Sequence, residues 1–261
     1  MPEGDTVWRV CHRLHEAVAG QRLTGSEFRV PQLATSDVTG RTVLEVAPRG
    51  KHILIRLSGA LTVHSHLMME GAWHLYRPAE RWRGGPAFEV RVVLRTEPWV
   101  LVGYRLPVLD LVPTAEEDTV VGHLGPDLLS AHFDRKRALA NLLREPDRTI
   151  SEALLDQTKL AGIGNFYRNE VCFLTGAWPW RRAGDVDLGK AIDLARRLMK
   201  ANLRHGAQVT TGVDRPGARS WVFERAGRPC RRCGTAIRSG TTGEPPHDRV
   251  AYWCPTCQPE P

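Results

Sequence analysis

The sequence contains no apolar run that approaches the roughly 18–20 residues of a membrane span. Its N-terminus, MPEGDTV, has neither the basic region nor the apolar stretch of a secretory signal. These absences predict a cytoplasmic protein that has no membrane contact. In a reducing compartment the six cysteines are not expected to form disulfides, which leaves core thiols, reactive thiols or metal ligands.

Lysine is scarce: the chain has 36 basic residues but only 5 lysines, and its net charge is +7. Residues 1–130 hold 14 Lys+Arg against 15 Asp+Glu, a net of −1, whereas residues 131–261 hold 22 against 14, a net of +8. A basic surface confined to one half favours a polyanionic partner, with nucleic acid as the leading candidate. The alternative is that abundant arginine reflects a GC-rich genome.

The first half begins with one helical pattern, and several short β-rich runs follow it. Apolar residues recur at helical spacing from Asp5 to Val18, and Gly20 follows as a cap. The β-rich runs are Thr42–Val46, His52–Leu57, Leu61–His66, Phe88–Leu94 and Trp99–Tyr104. Such a series predicts an antiparallel sandwich or barrel with a flanking helix, in a domain spanning residues 1–125.

Helical periodicity dominates the second half. The predicted helices are Arg135–Leu143, Ile150–Leu155, Asn165–Leu174 and Leu188–Arg204. They define a second, α-helical domain over residues 130–220, and its last part, residues 206–220, has little periodicity and reads as a mobile loop. A third unit, residues 221–261, is built around cysteines.

Two cysteine pairs give the most specific local signal. Cys230-x-x-Cys233 and Cys254-x-x-Cys257 are separated by 20 residues, a spacing that fits a zinc ribbon with one structural Zn²⁺. The segment is too short to bury much apolar surface, so metal binding would supply much of its folding free energy. Cys11 and Cys172 lie on apolar helical faces and are predicted to be core residues.

Five segments occur in a characteristic order: MPEGDTV at the start, Gly50-Lys51 before a strand, HSHLMMEG at 64–71, LAGIGNFYRNE at 160–170 and RVAYWCPTCQ at the end. Together they resemble the formamidopyrimidine-DNA glycosylase and endonuclease VIII family, and the PEGD start resembles the endonuclease VIII branch. The resemblance covers nearly the whole chain. It implies an α+β multidomain fold with an N-terminal β-sandwich, a helix-two-turn-helix domain and a zinc ribbon, and damaged DNA bound in the cleft between halves.

The resemblance also implies a bifunctional DNA glycosylase and AP lyase of base-excision repair. After removal of Met1, the amine of Pro2 would attack the deoxyribose C1′ and form a Schiff base, followed by β- and δ-elimination. Glu3 would act as the general acid/base, and Lys51 would contact phosphate near the lesion and assist elimination. From sequence alone, Pro2-Glu3 also fits an ordinary helix entry.

Further positions match DNA-binding residues of the family. Asn165, after Gly164, would hold a phosphate, although both also suit a simple helix start. Arg249 would clamp phosphates around the flipped nucleotide. Met69, with Met68 as a weaker candidate, would fill the void that the flipped nucleotide leaves, the alternative being a core methionine.

The chain departs from the formamidopyrimidine glycosylase pattern at residues 103–108, where only Arg105 is retained from the loop that contacts the opposite base. This difference favours oxidised pyrimidines as substrates, in duplex DNA and also in single-stranded or bubble DNA. A catalytically weak or inactive DNA-binding member of the fold is the alternative, and a monomer is expected. His64 and His66 share a strand face without carboxylate or Cys partners in register and are interpreted as packing or hydrogen-bonding groups, not metal ligands.

Overall fold

The computed structural model of the chain describes residues 2–246 and 248–261. These residues form two compact units. One comprises Pro2 and Thr6–His123, and the other comprises Glu3–Asp5 and Leu124–Pro261. None of the helices in the described ranges is long and apolar enough to cross a membrane.

The chain opens with helix α1, Gly4–Val18, as the apolar periodicity predicts. Its inward face consists of Val7, Cys11, Leu14 and Val18, each at most 1% exposed. Cys11 is thus a core thiol, as predicted, and burial raises its pKa. Gly20 follows the helix with φ of 79°, a left-handed conformation that glycine adopts without a steric penalty.

Two four-stranded antiparallel sheets pack around one apolar core and confirm the β-sandwich. The first has the order β1-β6-β7-β5 and the second β2-β3-β4-β8. The strands are β1 (Gly25–Phe28), β2 (Val43–Arg49), β3 (His52–Leu57), β4 (Leu61–His66), β5 (Ala72–Tyr76), β6 (Val90–Arg95), β7 (Val100–Tyr104) and β8 (Val108–Pro113).

The bounds predicted for β3 and β4 are confirmed, but the periodicity missed β1, β5 and β8. The predicted strand at Phe88–Leu94 is wrong at its start, because Ala87–Glu89 forms a 3-10 turn and leaves Phe88 79% exposed. A short helix, α2 (Asp118–Val121), follows the sandwich.

Four helices form the core of the second unit: α3 (Arg135–Leu143), α4 (Ile150–Leu155), α5 (Asn165–Thr175) and α6 (Leu188–Ala201). The predicted bounds of α3 and α4 are confirmed. Helix α6 ends earlier than predicted, because residues Asn202–Arg204 tighten into a 3-10 turn. Asp134, Thr149 and Asp187 cap α3, α4 and α6 by accepting a backbone N–H with their side chains.

The C-terminal segment contains the antiparallel pair β9 (Arg238–Thr242) and β10 (Arg249–Trp253). Phe173 on α5 packs in one cluster with Val222, Ile237 and two of the cysteines. The 206–220 segment contains neither helix nor strand, but its arms are joined by hydrogen bonds from Thr210 N to Arg219 O (2.9 Å) and from Thr211 Oγ1 to Ala218 O (2.7 Å).

Candidate active site and DNA-binding residues

The carboxylate of Glu3 is fully buried and lies at the N-terminus of α5. Its Oε2 accepts the backbone N–H of Gly164 at 2.7 Å and that of Tyr167 at 3.4 Å, and its Oε1 accepts the N–H of Phe166 at 2.7 Å. These donors are among the amides that an α-helix leaves unpaired at its start, where a negative charge is also favoured by the helix dipole. The geometry therefore fixes both carboxylate oxygens.

Three glycines allow the backbone to approach this closely. A Cβ on Gly164 would lie 2.5 Å from Glu3 Cδ, so no larger residue fits beside the carboxyl group. Gly162 has φ of 111°, and its carbonyl accepts the N–H of Gly4 at 2.9 Å. The Gly-Ile-Gly-Asn motif therefore forms the site that holds Glu3, a role that the sequence analysis did not assign to it.

Asn165 begins α5 with its side chain already engaged. Its Nδ2 donates to Val250 O at 3.1 Å, and its Oδ1 accepts a hydrogen bond from Arg168 Nη2. An amide nitrogen carries two hydrogens, and the second hydrogen of Asn165 Nδ2 is the one that the predicted phosphate contact would use. The backbone N–H of Gly164 donates to Glu3 and is therefore already used. The phosphate contact predicted for this turn remains a prediction for the side-chain amide of Asn165.

Polar side chains of α5 also fix the strand that follows residue 248. Arg168 is fully buried, and its Nη2 donates to Val250 O at 3.1 Å, while Asn169 Oδ1 accepts the N–H of Tyr252 at 2.6 Å. Burial lowers the pKa of Arg168 to about 10, which still leaves it charged at neutral pH. Sequence patterns do not single out either residue, although both lie in the segment that carries the family resemblance.

Arg249 is the first residue of β10 and is exposed. Its Nη1 donates to two backbone carbonyls, Asp248 O at 2.6 Å and Pro246 O at 3.5 Å. These contacts hold the guanidinium beside the turn before β10 without a carboxylate partner among the described residues. The side chain is thus placed where it can contact an anion, and its role as a phosphate clamp remains a prediction.

Lys51 lies in the turn between β2 and β3, directly after Gly50, which has φ of 59°. It shares the sandwich unit with Pro2. Its positive charge helps to lower the pKa of His52 and of His66, so the ammonium group lies within electrostatic range of both imidazole rings.

Met68 and Met69 lie in the turn between β4 and β5 and are 49% and 63% exposed, which argues against the core interpretation. The N–H of Met68 donates to His66 Nδ1 at 2.9 Å, and the N–H of Gly71 donates to Leu67 O at 2.8 Å. An ordered turn thus presents two long apolar side chains to the surface. Insertion into DNA remains a prediction.

Arg105, which is predicted to contact DNA, makes several hydrogen bonds within the protein. Its backbone has φ of 46°, and its guanidinium donates to Glu89 Oε2, to Glu70 O (3.1 Å) and to Gly84 O (3.3 Å). These bonds connect three turns of the sandwich. A contact between Arg105 and the opposite base stays a prediction, and the observed contacts give the side chain a structural part.

The interpretation of His64 needs one correction. Residue 64 has a carboxylate partner in register, because β4 pairs with β8 and places Asp110 directly opposite. His64 Nδ1 lies 2.9 Å from Asp110 Oδ2, and His64 Nε2 lies 2.8 Å from His52 Nδ1. Sequence patterns do not predict this pair, because they do not identify β8 as a strand. His64 and His66 both make hydrogen bonds, as predicted.

The four cysteine sulfurs of the C-terminal segment lie within 4.8 Å of one another. The separations are 4.0 Å for Cys230–Cys257, 3.4 Å for Cys233–Cys254 and 3.6 Å for Cys233–Cys257. A tetrahedral Zn²⁺ with Zn–S bonds near 2.3 Å requires sulfurs about 3.8 Å apart. The donor set therefore fits the predicted structural metal.

The ribbon has the tight turn that such a site needs. Gly234, with φ of 80°, donates its N–H to Cys230 O at 2.9 Å. Hydrogen bonds from Thr235 lower the pKa of the Cys233 thiol to about 6, whereas burial raises that of Cys257 to about 12. A bound cation would stabilise the thiolates of all four ligands and connect the two ends of the segment.

Glu170 is a second buried carboxylate that the sequence analysis missed. It accepts the N–H groups of Trp221 (2.7 Å), Val222 (2.9 Å) and Phe223 (3.0 Å) as well as the hydroxyl of Thr210. Burial raises its pKa. The residue anchors the segment after the 206–220 loop to α5.

Comparison with known proteins identifies the family of this chain. Residues 1–105 match the formamidopyrimidine-DNA glycosylase N-terminal domain, and residues 124–213 match the formamidopyrimidine-DNA glycosylase H2TH domain. A "Probable endonuclease 8 2" of Streptomyces coelicolor is 54% identical, with 100% of this chain and 95% of the relative covered. A "DNA-(apurinic or apyrimidinic site) lyase Nei2" of Mycolicibacterium smegmatis is 42% identical, with 99% of each chain covered.

Solved structures share the fold at lower identity. A complex of Lactococcus lactis Fpg with abasic-site DNA has a TM-score of 0.80 at 22% identity, and a MutM complex with carbocyclic 8-oxo-G DNA has 0.82 at 23%. Each comparison covers 99% of this chain and 100% of the other. With two family domains matched and relatives aligned end to end, the chain belongs to the formamidopyrimidine-DNA glycosylase and endonuclease VIII family, in its endonuclease VIII branch.

Proposed function

We propose that this protein is a DNA glycosylase and AP lyase that excises oxidised bases through a Schiff base on Pro2. The proposal rests on the carboxylate of Glu3, the residue that follows Pro2 in the sequence. This carboxylate is buried and accepts hydrogen bonds from three backbone N–H groups. A carboxyl group held in one position next to a candidate amine nucleophile indicates a role in proton transfer. The names of the relatives support the same activity.

In the proposed reaction the secondary amine of Pro2, exposed by removal of Met1, attacks C1′ of the damaged nucleotide. The bond from C1′ to the base breaks, and the base leaves with the proton that the amine nitrogen loses. The sugar ring then opens with a proton supplied to its oxygen by Glu3, and the nitrogen forms a cationic iminium. The iminium draws electrons from C2′, so the C2′ proton is lost and the 3′ phosphate leaves. A second elimination at C5′ releases the sugar fragment.

Lys51, Asn165 and Arg249 would hold phosphates around the reacting nucleotide, and Met69, with Met68 beside it, would take the space left in the base stack. Oxidised pyrimidines are the favoured substrates, because residues 103–108 retain only Arg105 from the loop that contacts the opposite base in formamidopyrimidine glycosylases. The four cysteines would hold one structural Zn²⁺. The protein is proposed to act as a monomer.

The test is incision of a duplex that contains one abasic site. The native protein is expected to cut the strand to β- and δ-elimination products, and Pro2→Ala is expected to lose the activity while it still binds the DNA. The activity with thymine glycol against 8-oxoguanine in the same duplex tests the substrate preference. Binding without incision by the native protein would support the inactive DNA-binding alternative instead.

A further inference from the structure

One phenylalanine of this chain lies at the protein surface. Of the six phenylalanines, three are buried and two are half-buried, whereas Phe88 is 79% exposed. Single apolar residues are common on protein surfaces, so exposure alone identifies no ligand. The position of Phe88 relative to other exposed apolar side chains is more informative.

Phe88 and the two exposed methionines lie in turns that bond to the same arginine. The exposed large apolar side chains among the described residues of the sandwich unit are Leu44, Met68, Met69 and Phe88. Arg105 Nε donates to Glu70 O at 3.1 Å, in the turn that carries both methionines. The backbone N–H of Arg105 donates to Glu89 O at 2.8 Å, and its guanidinium donates to the Glu89 carboxylate. Three of the four exposed apolar side chains are therefore grouped around Arg105.

The strand register independently places the two turns side by side. Tyr104 on β7 is paired with Ala72 of β5 on one side and with Val90 of β6 on the other. Ala72 and Val90 are the first residues of their strands, so the preceding turns lie at the same end of the sheet. Because β7 alone separates β5 from β6, the two strand starts are about 10 Å apart, the height of about three stacked base pairs.

The turn that carries Phe88 has a fixed backbone. The N–H of Glu89 donates to Pro86 O at 3.0 Å and closes the 3-10 turn. Arg91 Nη1 donates to Phe88 O at 2.8 Å, which fixes the carbonyl of the exposed residue itself. A ring presented by an ordered turn loses little conformational entropy when it contacts a partner.

The segment around Phe88 is basic in a half of the chain that is otherwise not. Residues 77–91 contain four arginines and two glutamates, whereas residues 1–130 have a net charge of −1. The side chains of Arg81 and Arg83 are exposed, and Glu89 is neutralised by its ion pair with Arg105. An aromatic ring among arginines is typical of surfaces that bind nucleic acid, where the ring stacks on a base and the cations attract the backbone.

We infer that Phe88 stacks on a base at the gap from which the damaged nucleotide is flipped, beside the inserted methionine. The inference rests on the proposed function and adds a second DNA-inserting residue to it. Flipping leaves base faces without a stacking neighbour. A methionine fills volume but has no plane, whereas a phenyl ring covers a base face and accepts any base. Phe88 therefore favours DNA that has a gap over an intact duplex, in which the bases already stack on one another.

The experiment compares binding to two duplexes of one sequence, one intact and one with an uncleavable tetrahydrofuran abasic site. Phe88→Ala and Phe88→Leu are expected to bind the tetrahydrofuran duplex about 10-fold more weakly, because each loses one stacked base, while Phe88→Trp retains affinity. Affinity for the intact duplex and the salt slope should not change. Leu44→Ala, which truncates an exposed apolar side chain outside the two turns, is the matched control and should bind both duplexes like the native protein.

Photocrosslinking identifies the contact directly in the native protein. 5-Iodouracil, placed in turn beside and opposite the tetrahydrofuran site, is expected to crosslink to Phe88 in the tryptic peptide of residues 84–91. The same base in the intact duplex should give little of this product. Urea unfolding of Phe88→Ala should match that of the native protein, since the removed ring is exposed.

Equal affinity of native protein and Phe88→Ala for the tetrahydrofuran duplex, or an equal loss on both duplexes, would overturn the inference. Full affinity in Phe88→Leu would overturn stacking by the ring. Self-association that Phe88→Ala abolishes, with unchanged DNA binding, would assign the ring to a contact between copies of the chain instead. Trapping by borohydride that persists in Pro2→Ala would contradict the proposed function, so the two failures are distinguishable.

Discussion

Gly164 and Glu3 occupy adjoining space in one unit of the protein: the N–H of Gly164 donates to Glu3 Oε2 at 2.7 Å, and a Cβ at residue 164 would lie 2.5 Å from Glu3 Cδ. Residues separated by 161 positions are thus in direct contact. The relationship explains why a glycine, and not another helix-capping residue, precedes Asn165. It also makes the position of the proposed acid/base sensitive to a single methyl group.

Gly164→Ala is therefore expected to displace the Glu3 carboxyl group. Overpacking of this kind costs about 1–3 kcal/mol of unfolding free energy. Abasic-site cleavage should fall about 10²-fold, because a displacement of about 1 Å near reacting groups costs on this order. Urea unfolding and single-turnover cleavage measure the two effects. Gly206→Ala is the control, since a Cβ there meets nothing within 4 Å, and equal losses in both variants would contradict the account.

Metal removal should unfold the ribbon selectively. The thiols of all four cysteines must ionise to bind one cation, so protons compete with the metal and metal retention should weaken as the pH falls. Chelation at pH 6 is expected to release one zinc per chain and to expose the amides of residues 228–258 to hydrogen exchange. Protection in α3–α6 should remain. A ribbon that keeps its protection after metal loss would show that the cysteines do not stabilise it through a metal.

Arg249→Ala should weaken DNA binding without a change in stability. The exposed guanidinium is held only by the carbonyls of Asp248 and Pro246 among the described residues, so its removal leaves no buried charge. Loss of one phosphate contact should reduce the slope of log K against log salt by about 1. Fluorescence anisotropy at several salt concentrations measures this slope. Arg182→Ala, which removes a side chain paired with Asp147, is the control and should leave the slope unchanged.

The sandwich should lose stability in mild acid through His66. Burial, with the charge of Lys51, lowers the pKa of His66 to about 4, whereas an unfolded histidine titrates near ~6.5. Between these values the unfolded chain binds the extra proton, so the unfolding free energy falls as the pH decreases from about 6.5 to about 4. His66→Gln keeps an acceptor for Met68 N–H and should flatten this dependence in urea unfolding, while His132→Gln should not. An unchanged slope in His66→Gln would refute the assignment.

Local patterns were enough to predict much of the fold. The helical spacing in α3 and α4 and the apolar runs of β3 and β4 gave their bounds, because each element buries one regular face. The two Cys-x-x-Cys pairs predicted a set of sulfurs that lie close enough to share an ion. The two faces of strand β8, however, differ little in burial: Leu109 is its one buried residue, and the others are half-buried or exposed.

The contacts that define the site depend on residues far apart in sequence. Asp110 meets His64 only through the register of β4 against β8, across 46 positions. Glu170 holds the N–H groups of residues 221–223, and no local pattern indicates which amides a buried carboxylate will accept. Asn165 was correctly placed at a helix start, but its bond to Val250 requires the fold of the ribbon on α5.

The most direct test of the proposed chemistry is to identify the atom that bonds to the sugar. Native protein incubated with abasic-site DNA and borohydride, then digested with nuclease and protease, should yield one modified peptide whose fragment ions place the reduced sugar adduct on the nitrogen of Pro2. Pro2→Ala should give much less of this product. An adduct on Lys51 or any other side chain in the native protein would contradict the account.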